Sequence, residues 1–322
     1  VKGYKGSKTD STAYTGQMAR QLQHNSLKKI VSKGNPSDPT SNTLNKMLNY
    51  FENKDKTKSM AILDPKSSSK FPVKQKMVGE ISTGSNLAGK ADGRVQLSWP
   101  NNMTGADVIR FMIKKASKIS GGVDMKNGMN YPQLISKYTM GAVLYHQACD
   151  NYLDEKMTAS NKPNDKPYKK GAYYTGKEHS WDEAFGYWGA AAHTMTLSAQ
   201  QSYDVAKKKD LKAADFNKDG VVDLYKEMTY GHAYYASAFD RGGKTDYLKT
   251  VTKAFIDGRK IITNANGEKL SSSDLTKVQD LAQVICSNWA QVIAEAVHKY
   301  AGSVYKDLGA VEKALSSGSG MD

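Results

Sequence analysis

Apolar residues recur at three- and four-residue steps over most of the chain, which is the spacing of one face of an α-helix. The stretch at residues 131–157, YPQLISKYTMGAVLYHQACDNYLDEKM, shows this pattern and carries Pro132 where the first helical turn tolerates it. A longer run, SSSDLTKVQDLAQVICSNWAQVIAEAVHKYAGSVYKDLG, predicts a helix that crosses a whole bundle and ends at Gly309. Shorter helices are predicted at residues 16–33, 43–53 and 245–264.

One part of the chain lacks this period. Residues 64–103 are rich in Lys, Ser, Gly and Pro and contain only short alternating pieces such as GRVQLSW. We therefore expect a loop-rich insertion there, holding whatever strand the protein has. The predicted fold is all-α: a single helical domain over residues 1–322, arranged as a helical bundle with this insertion.

Composition narrows the class of protein. The 322 residues are 39% apolar and 24% charged, and no uninterrupted apolar run is long enough to span a membrane. The net charge of +14 comes mainly from lysines spread along the chain, whereas arginine is scarce. Arginine is the residue that reads phosphate and guanine with two hydrogen bonds, so this distribution argues against nucleic acid as a partner. It predicts a solvated basic surface that is attracted to anionic surfaces.

Two cysteines, Cys149 and Cys286, lie far apart in segments with helical patterns. Two are too few for a disulfide framework, and their spacing does not suit a zinc site. We expect two buried thiols, with a single bridge between two long helices as the alternative.

The stretch AADFNKDGVVDLYKEMTYGH resembles the loop of an EF-hand, followed by an apolar run that predicts an outgoing helix. Its oxygen-bearing positions are Asp215, Asn217, Asp219, the carbonyl of Val221, and Asp223. Gly220 stands where such loops turn sharply. Oxygen ligands that converge on one point are what Ca²⁺ requires, so the stretch predicts an EF-hand-like calcium loop.

The twelfth position of this loop departs from the pattern. Lys226 stands where a bidentate glutamate closes an EF-hand loop, and Glu227 comes one residue late. Either Asp223 or Glu227 completes the set of ligands, or the loop binds calcium weakly. The alternative is a polar turn without a metal ion.

The stretch EHSWDEAFGYWG is a second concentration of candidate chemistry. His179, Asp182 and Glu183 have spacings that place them on one helical face, as a metal-binding or ligand-binding site would require. However, Ser180 and Glu183 also form the pattern of a capping box, which predicts that the helix starts at Ser180 and leaves His179 just outside it.

Four stretches resemble a bacterial family of domains of unknown function, number 4856. They are YTGQMARQ, NYPQLISKYTMGAVLYHQACDNYLDEK, KEHSWDEAFGYWG and DFNKDGVVDL. The resemblance implies an exported, helical protein, similar in kind to the imelysin group of cell-envelope proteins linked to iron uptake. The imelysin motif G-x-H-x-x-E is missing, because Gly231 directly precedes His232. Envelope proteins of this type carry a lipid-anchoring Cys at the mature N-terminus, and Val1 departs from that.

These patterns support three hypotheses about function. The first is an exported cell-envelope or extracellular protein, stabilised by calcium, that binds a ligand or an envelope partner without catalysis. The second is an iron- or haem-handling protein that uses His179, Asp182 and Glu183 with other histidines. A metallopeptidase ranks last, because the sequence lacks H-E-x-x-H. Export is also expected because the chain begins at Val1 without an apolar leader, as a mature product or a shortened chain would.

Overall fold

The computed structural model describes residues 14–38, 42–54 and 59–318. The expectation that concerned Val1 therefore lies outside the described residues. Ten α-helices occur in this part of the chain, and they confirm the all-α fold class. Their bounds are Thr15–Val31 (α1), Asn42–Glu52 (α2), Gly105–Ser117 (α3), Tyr131–Thr139 (α4), Gly176–Trp188 (α5), Ala199–Ala206 (α6), Leu211–Ala214 (α7), Gly231–Asp240 (α8), Tyr247–Asn264 (α9) and Ser272–Ser316 (α10).

Helix α4 continues directly into a π-helical segment, Met140–Asp154, which a short 3-10 turn at Glu155–Met157 ends. We expected an α-helical period through this stretch, so the winding differs although the helical rod is present. The π-helix has more residues per turn than an α-helix, and it still buries one of its sides. Met140, Leu144 and Leu153 on that side pack into the core.

Two hydrophobic cores hold the elements together. The larger one lies among the C-terminal half of α1, helices α2 to α5, the π-helical segment, and helices α8 to α10. The smaller one joins the N-terminal half of α1 to residues 60–78 and to residues 197–230, which include α6 and α7. The loop-rich segment therefore contributes Phe71, Val73 and Val78 to this smaller core.

Strand is scarce, and its position differs from our expectation. The two named strands, Val123–Asp124 (β1) and Met129–Asn130 (β2), pair antiparallel outside residues 64–103. Within residues 64–103 the described backbone forms isolated bridges, including Val73 with Val222. The expectation was wrong because the GRVQLSW stretch forms one bridge between Val95 and Thr104 and no ladder.

Helix α10 is longer than predicted. It continues through Gly309 to Ser316, because one glycine in an exposed helix costs only about 1 kcal/mol and strong helix formers surround it. At 1.5 Å per residue, the helix spans roughly 67 Å. Its last buried residue is Val292, and the later part projects with an exposed apolar row that consists of Val304, Leu308, Val311 and Leu315. Among the described residues, no helix is both long and apolar enough to cross a membrane.

The cysteines form a disulfide, so our expectation of two thiols is wrong. Cys149 of the π-helical segment and Cys286 of α10 have Cα atoms 5.7 Å apart, within the normal range for a bridge. The sequence could not show this proximity, because 137 residues separate the two positions.

The contact between α5 and α9 depends on a glycine. A Cβ atom at Gly258 would lie 2.1 Å from Cζ2 of Trp181, whose indole nitrogen donates a hydrogen bond to the carbonyl of Phe255 at 2.8 Å. The indole is 1% exposed and therefore fills the space that a side chain at position 258 would need.

We predict that Gly258→Ala destabilises the fold by about 3 kcal/mol, because the methyl group forces the indole of Trp181 out of its place. Chemical denaturation followed by circular dichroism measures this loss. Gly302→Ala on α10 is the matched control: nothing lies within 4 Å of its Cβ, so the helix should gain up to about 1 kcal/mol. Equal stability of the two variants would contradict the packing described here.

Candidate functional site

Helix α5 begins earlier than the sequence predicted. Its N-cap is Thr175, whose hydroxyl accepts from the Glu178 amide at 3.1 Å, while the Glu178 carboxylate accepts from the Thr175 amide at 2.8 Å. The predicted box at Ser180 and Glu183 is therefore wrong. Both pairs have the same S/T-x-x-E pattern, and the one at the true helix start is used. His179 consequently lies inside the first turns of the helix.

Asp182 lies on the side of α5 that faces α9. Its Oδ1 accepts from Nε of Arg259 at 2.8 Å, and Oε1 of Glu178 accepts from Nη1 of the same guanidinium at 2.8 Å. All three side chains are largely buried. The nearby carboxylates raise the pKa of Arg259 in spite of its burial, which by itself lowers the pKa. Asp182 therefore serves a buried ion cluster between two helices.

His179 faces a different set of groups. Its ring lies 3.8 Å from the ring of Tyr168 and stacks on Tyr174 at 4.9 Å, measured between ring centroids. Its Nε2 is 3.4 Å from Oε2 of Glu183. Burial lowers the pKa of His179 below its ordinary value, against the opposing effect of Glu183, so the imidazole is neutral at pH 7. The structure brings His179 and Glu183 together, whereas the Asp182 carboxylate binds Arg259.

Glu183 is surrounded by donors and cations. Its Oε1 accepts from Nε2 of Gln17 on α1 at 2.6 Å. Burial lowers the pKa of the nearby Lys156 to about 8, which Glu183 opposes. A carboxylate that already has these neighbours has less capacity to bind a cation.

In the calcium-like loop, acidic side chains accept hydrogen bonds from the loop's own backbone. Both oxygens of Asp215 accept backbone hydrogen bonds, from Asp219 at 3.1 Å and Gly220 at 2.9 Å. Asn217 and Asp219 lie side by side, with the amide nitrogen of one 3.0 Å from Oδ2 of the other. The loop follows the four-residue helix α7, and His193 stacks on Phe216 at its start, with centroids 4.9 Å apart.

No helix leaves this loop directly, which corrects our expectation of an outgoing helix. The backbone at Val222 accepts from the Lys74 amide at 2.9 Å and donates to the Pro72 carbonyl at 2.8 Å. This pairing with the loop-rich segment holds the chain extended, and α8 begins only at Gly231. The likeness to an EF-hand is therefore limited to the loop.

Two carboxylates stood as alternatives for the closing position. Oε1 of Glu227 accepts from the amides of Phe216 and Asn217, at 3.0 and 3.3 Å, and its Oε2 accepts from the Asp223 amide at 2.8 Å. Asp223 instead accepts from Nε2 of Gln75 at 2.9 Å. Glu227 thus reaches both limbs of the loop from inside, whereas Asp223 faces the loop-rich segment. Lys226 is exposed.

Within the described residues, no three His, Cys, Asp or Glu side chains gather as a metal site would require. That finding bears on a histidine-rich iron site more than on calcium, since amide and carbonyl oxygens also bind calcium. The other histidines have separate surroundings. His24 Nε2 lies 3.0 Å from the Ser136 carbonyl, His193 Nε2 lies 2.8 Å from the Ala213 carbonyl, and His146 pairs with Asp150 at 2.8 Å.

The sequence did not reveal a cavity of about 320 Å³ between α1, α4, the end of α6, the start of α8, and α10. Four lysines line it: Lys28, Lys137, Lys207 and Lys208. These lysines come from three separate segments, so the sequence alone does not show that they lie together. The pair Lys207-Lys208 was the only local signal.

We predict that Asp182→Asn lowers the free energy of unfolding by about 2–3 kcal/mol at pH 7, because one partner of the buried Arg259 is lost. Asp257→Asn on α9 is the control, since the partner of Asp257 is the exposed Lys253; it should cost less than about 1 kcal/mol. Urea titration of both variants gives the comparison. A loss for Asp182→Asn no larger than that of the control would contradict the role assigned to the buried cluster.

The sequence model described as a domain of unknown function, DUF4856, matches residues 5–320. No curated protein and no solved structure matches the chain. Because the match covers nearly the full length, the chain belongs to the DUF4856 family.

Proposed function

We propose that the protein is an exported, non-enzymatic helical protein that takes up calcium in the loop from Asp215 to Glu227 and binds a ligand or partner at the cell envelope or outside the cell. The observation that carries the calcium proposal is the position of Glu227. Its carboxylate, 5% exposed, bonds to backbone amides on both limbs of the loop.

The residues present fit a calcium ion chemically. Asp215, Asn217 and Asp219 supply hard oxygen atoms, and Val221 supplies a carbonyl. Glu227 is the carboxylate that would close the set, because it lies between the two limbs of the loop, whereas Asp223 faces Gln75 of the loop-rich segment. The lysine at position 226 does not compete, since an ammonium group offers donors and no acceptor.

The disulfide supports export. Bridges of this kind form and persist in oxidising compartments such as the periplasm or the extracellular space, whereas the cytosol keeps thiols reduced. The bridge between Cys149 and Cys286 joins two long helical elements, and exposed residues of α10 flank it. A protein that depends on this link is suited to a location outside the cytoplasm.

The contacts of the polar residues on α5 support a binding role without catalysis, because these side chains bond to other helices or pack against aromatic rings. Asp182 and Glu178 hold Arg259, and the ring of His179 is packed against two tyrosines. A non-haem iron site would need a third ligand beside His179 and Glu183, because Asp182 is bound to Arg259. A haem would need an open imidazole nitrogen as its axial ligand, whereas the ring of His179 is packed against Tyr168 and Tyr174. We therefore favour the calcium-stabilised binding protein.

Calcium should raise the melting temperature and a chelator should lower it, because the ion binds the folded loop and not the unfolded chain. At a hundredfold excess over the dissociation constant the gain is about 2.7 kcal/mol, which is about 4 °C for a chain of this length. Differential scanning fluorimetry measures the shift. Elemental analysis identifies the ion: calcium supports the proposal, and stoichiometric iron supports the alternative.

The variant Asp219→Ala should abolish the calcium response and leave the helical spectrum intact. Asp280→Ala, an exposed aspartate on α10, is the control that should keep the full response. A melting temperature that is indifferent to calcium and chelator in the unchanged protein would mean that the loop is a polar turn.

The disulfide generates its own prediction. Protein recovered from its native cell fraction should resist thiol alkylation until it is reduced, and reduction should then expose two reactive cysteines. Loss of the bridge should cost roughly 2–5 kcal/mol, because the link closes a long loop in the unfolded chain. Mass spectrometry after alkylation gives the thiol count. Two free thiols in freshly isolated protein would argue against export.

A further inference from the structure

The lysine-lined cavity described above adjoins a second opening. The first has a volume of about 320 Å³, at the lower end for small-molecule sites, and the second has about 600 Å³. Asp64 and Lys208 belong to both linings. The second opening adds Lys29, Lys33 and Lys66. We call these two neighbouring spaces, which share the Asp64–Lys208 pair, the lysine cleft.

Positive charge dominates the lysine cleft. Asp64 is the single carboxylate in the two linings, and its Oδ1 lies 2.6 Å from Nζ of Lys208. The other six lysines of the linings have no carboxylate within ion-pair distance among the described residues. Burial and the nearby Lys137 lower the pKa of Lys28. Asp64 and Tyr300 offset only part of this mutual repulsion, and an anion in the cleft would relieve the rest.

Tyrosines hold the lysines in place and add polar groups. Nζ of Lys137 lies 5.0 Å from the ring centre of Tyr235 and 5.6 Å from that of Tyr300. The hydroxyls of these two tyrosines are 3.1 Å apart. Nζ of Lys207 lies 5.3 Å from the ring centre of Tyr234. The cations are thus positioned on aromatic faces, and phenol hydroxyls can donate to or accept from a hydroxylated ligand.

His24, a neutral histidine, also lines the smaller cavity of the lysine cleft. Burial, together with the charges of Lys137 and Lys28, lowers the pKa of His24 to about 4, although the hydrogen bond to Ser136 opposes the change. Its Nε2 donates to the Ser136 carbonyl at 3.0 Å. At neutral pH the imidazole adds no charge, so recognition depends on the lysines and the hydroxyl groups.

We propose that the lysine cleft binds an acidic oligosaccharide, with one sugar acid in the smaller cavity and neighbouring sugar units in the larger opening. Lysines supply point charges for carboxylates, and the tyrosines supply flat faces and hydroxyls for a polyhydroxylated ring. The scarcity of arginine, and the phenol hydroxyls beside the lysines, favour this ligand over nucleic acid or a membrane. The inference rests on the proposed ligand-binding role and is independent of calcium uptake.

Isothermal titration of trigalacturonate into the full chain tests the proposal, with neutral maltotriose as the ligand control. Trigalacturonate should bind, with an affinity that falls as salt rises, and maltotriose should not. Lys28→Gln combined with Lys137→Gln should weaken trigalacturonate binding by about tenfold or more. Lys306→Gln combined with Lys313→Gln removes the same charge from the exposed end of α10 and should change affinity by less than about twofold.

Folding of the variants is checked by their melting temperatures. Lys207→Gln alters an exposed side chain and provides a second test in which the fold is preserved; it should also weaken binding. Absence of trigalacturonate binding, or an equal loss in both double variants, would overturn the proposal. Tighter binding of a single-stranded oligonucleotide or of phosphatidylglycerol vesicles, with the same dependence on Lys28 and Lys137, would assign the cleft to another class of partner.

The same titrations with Asp219→Ala, and with chelator present, separate the two proposals. Saccharide binding that survives while the calcium response is lost would confirm that the cleft acts independently of the loop. A calcium response without saccharide binding would leave the calcium loop supported and the cleft without its proposed ligand.

Discussion

Arg259 and the residue before it hold α9 against α5. The guanidinium binds Glu178 and Asp182, and next to it the bare backbone of Gly258 admits the indole of Trp181. Removing three charges from water is costly, and the cost is offset only if each charge keeps its partners. The register between the two helices is therefore closely determined. A shift by one residue would separate the ions and force a side chain into the indole.

The position of α5 in turn determines what its other side can contact. His179 and Glu183 face the tyrosines near residue 170 and Gln17 of α1. Gly186 lies so close to α1 that a Cβ there would be 2.6 Å from the Cβ of Gln17. Helix α5 is thus packed between α9 and α1. Asp182 and Glu183, which the sequence offered as part of a metal- or ligand-binding site, bond to Arg259 of α9 and Gln17 of α1 and so help to join the helices.

The sequence predicted the helices well because apolar periodicity records which side of each helix is buried. Helix α1 was expected at residues 16–33 and is found at Thr15–Val31. The start of α5 was misplaced because two S/T-x-x-E patterns lie five residues apart, and local sequence does not indicate which of them caps the helix. The disulfide was only the alternative to two free thiols and the lysine cleft was not predicted, because both bring together segments that are distant in the chain. The hydrogen bonds within the calcium-like loop are local and so follow from the short run of Asp and Asn, whereas calcium binding there stays a prediction.

The disulfide has a mechanical consequence for the projecting helix α10. Tension applied to its free end passes along the helix to Cys286 and is transferred by a covalent bond to Cys149. The covalent path of this force therefore leaves out residues 150–285. Helices α5 to α9 and the calcium-like loop all lie in that bypassed part. A protein tethered by its last helix could therefore be pulled upon without direct strain on the elements that carry its candidate calcium loop.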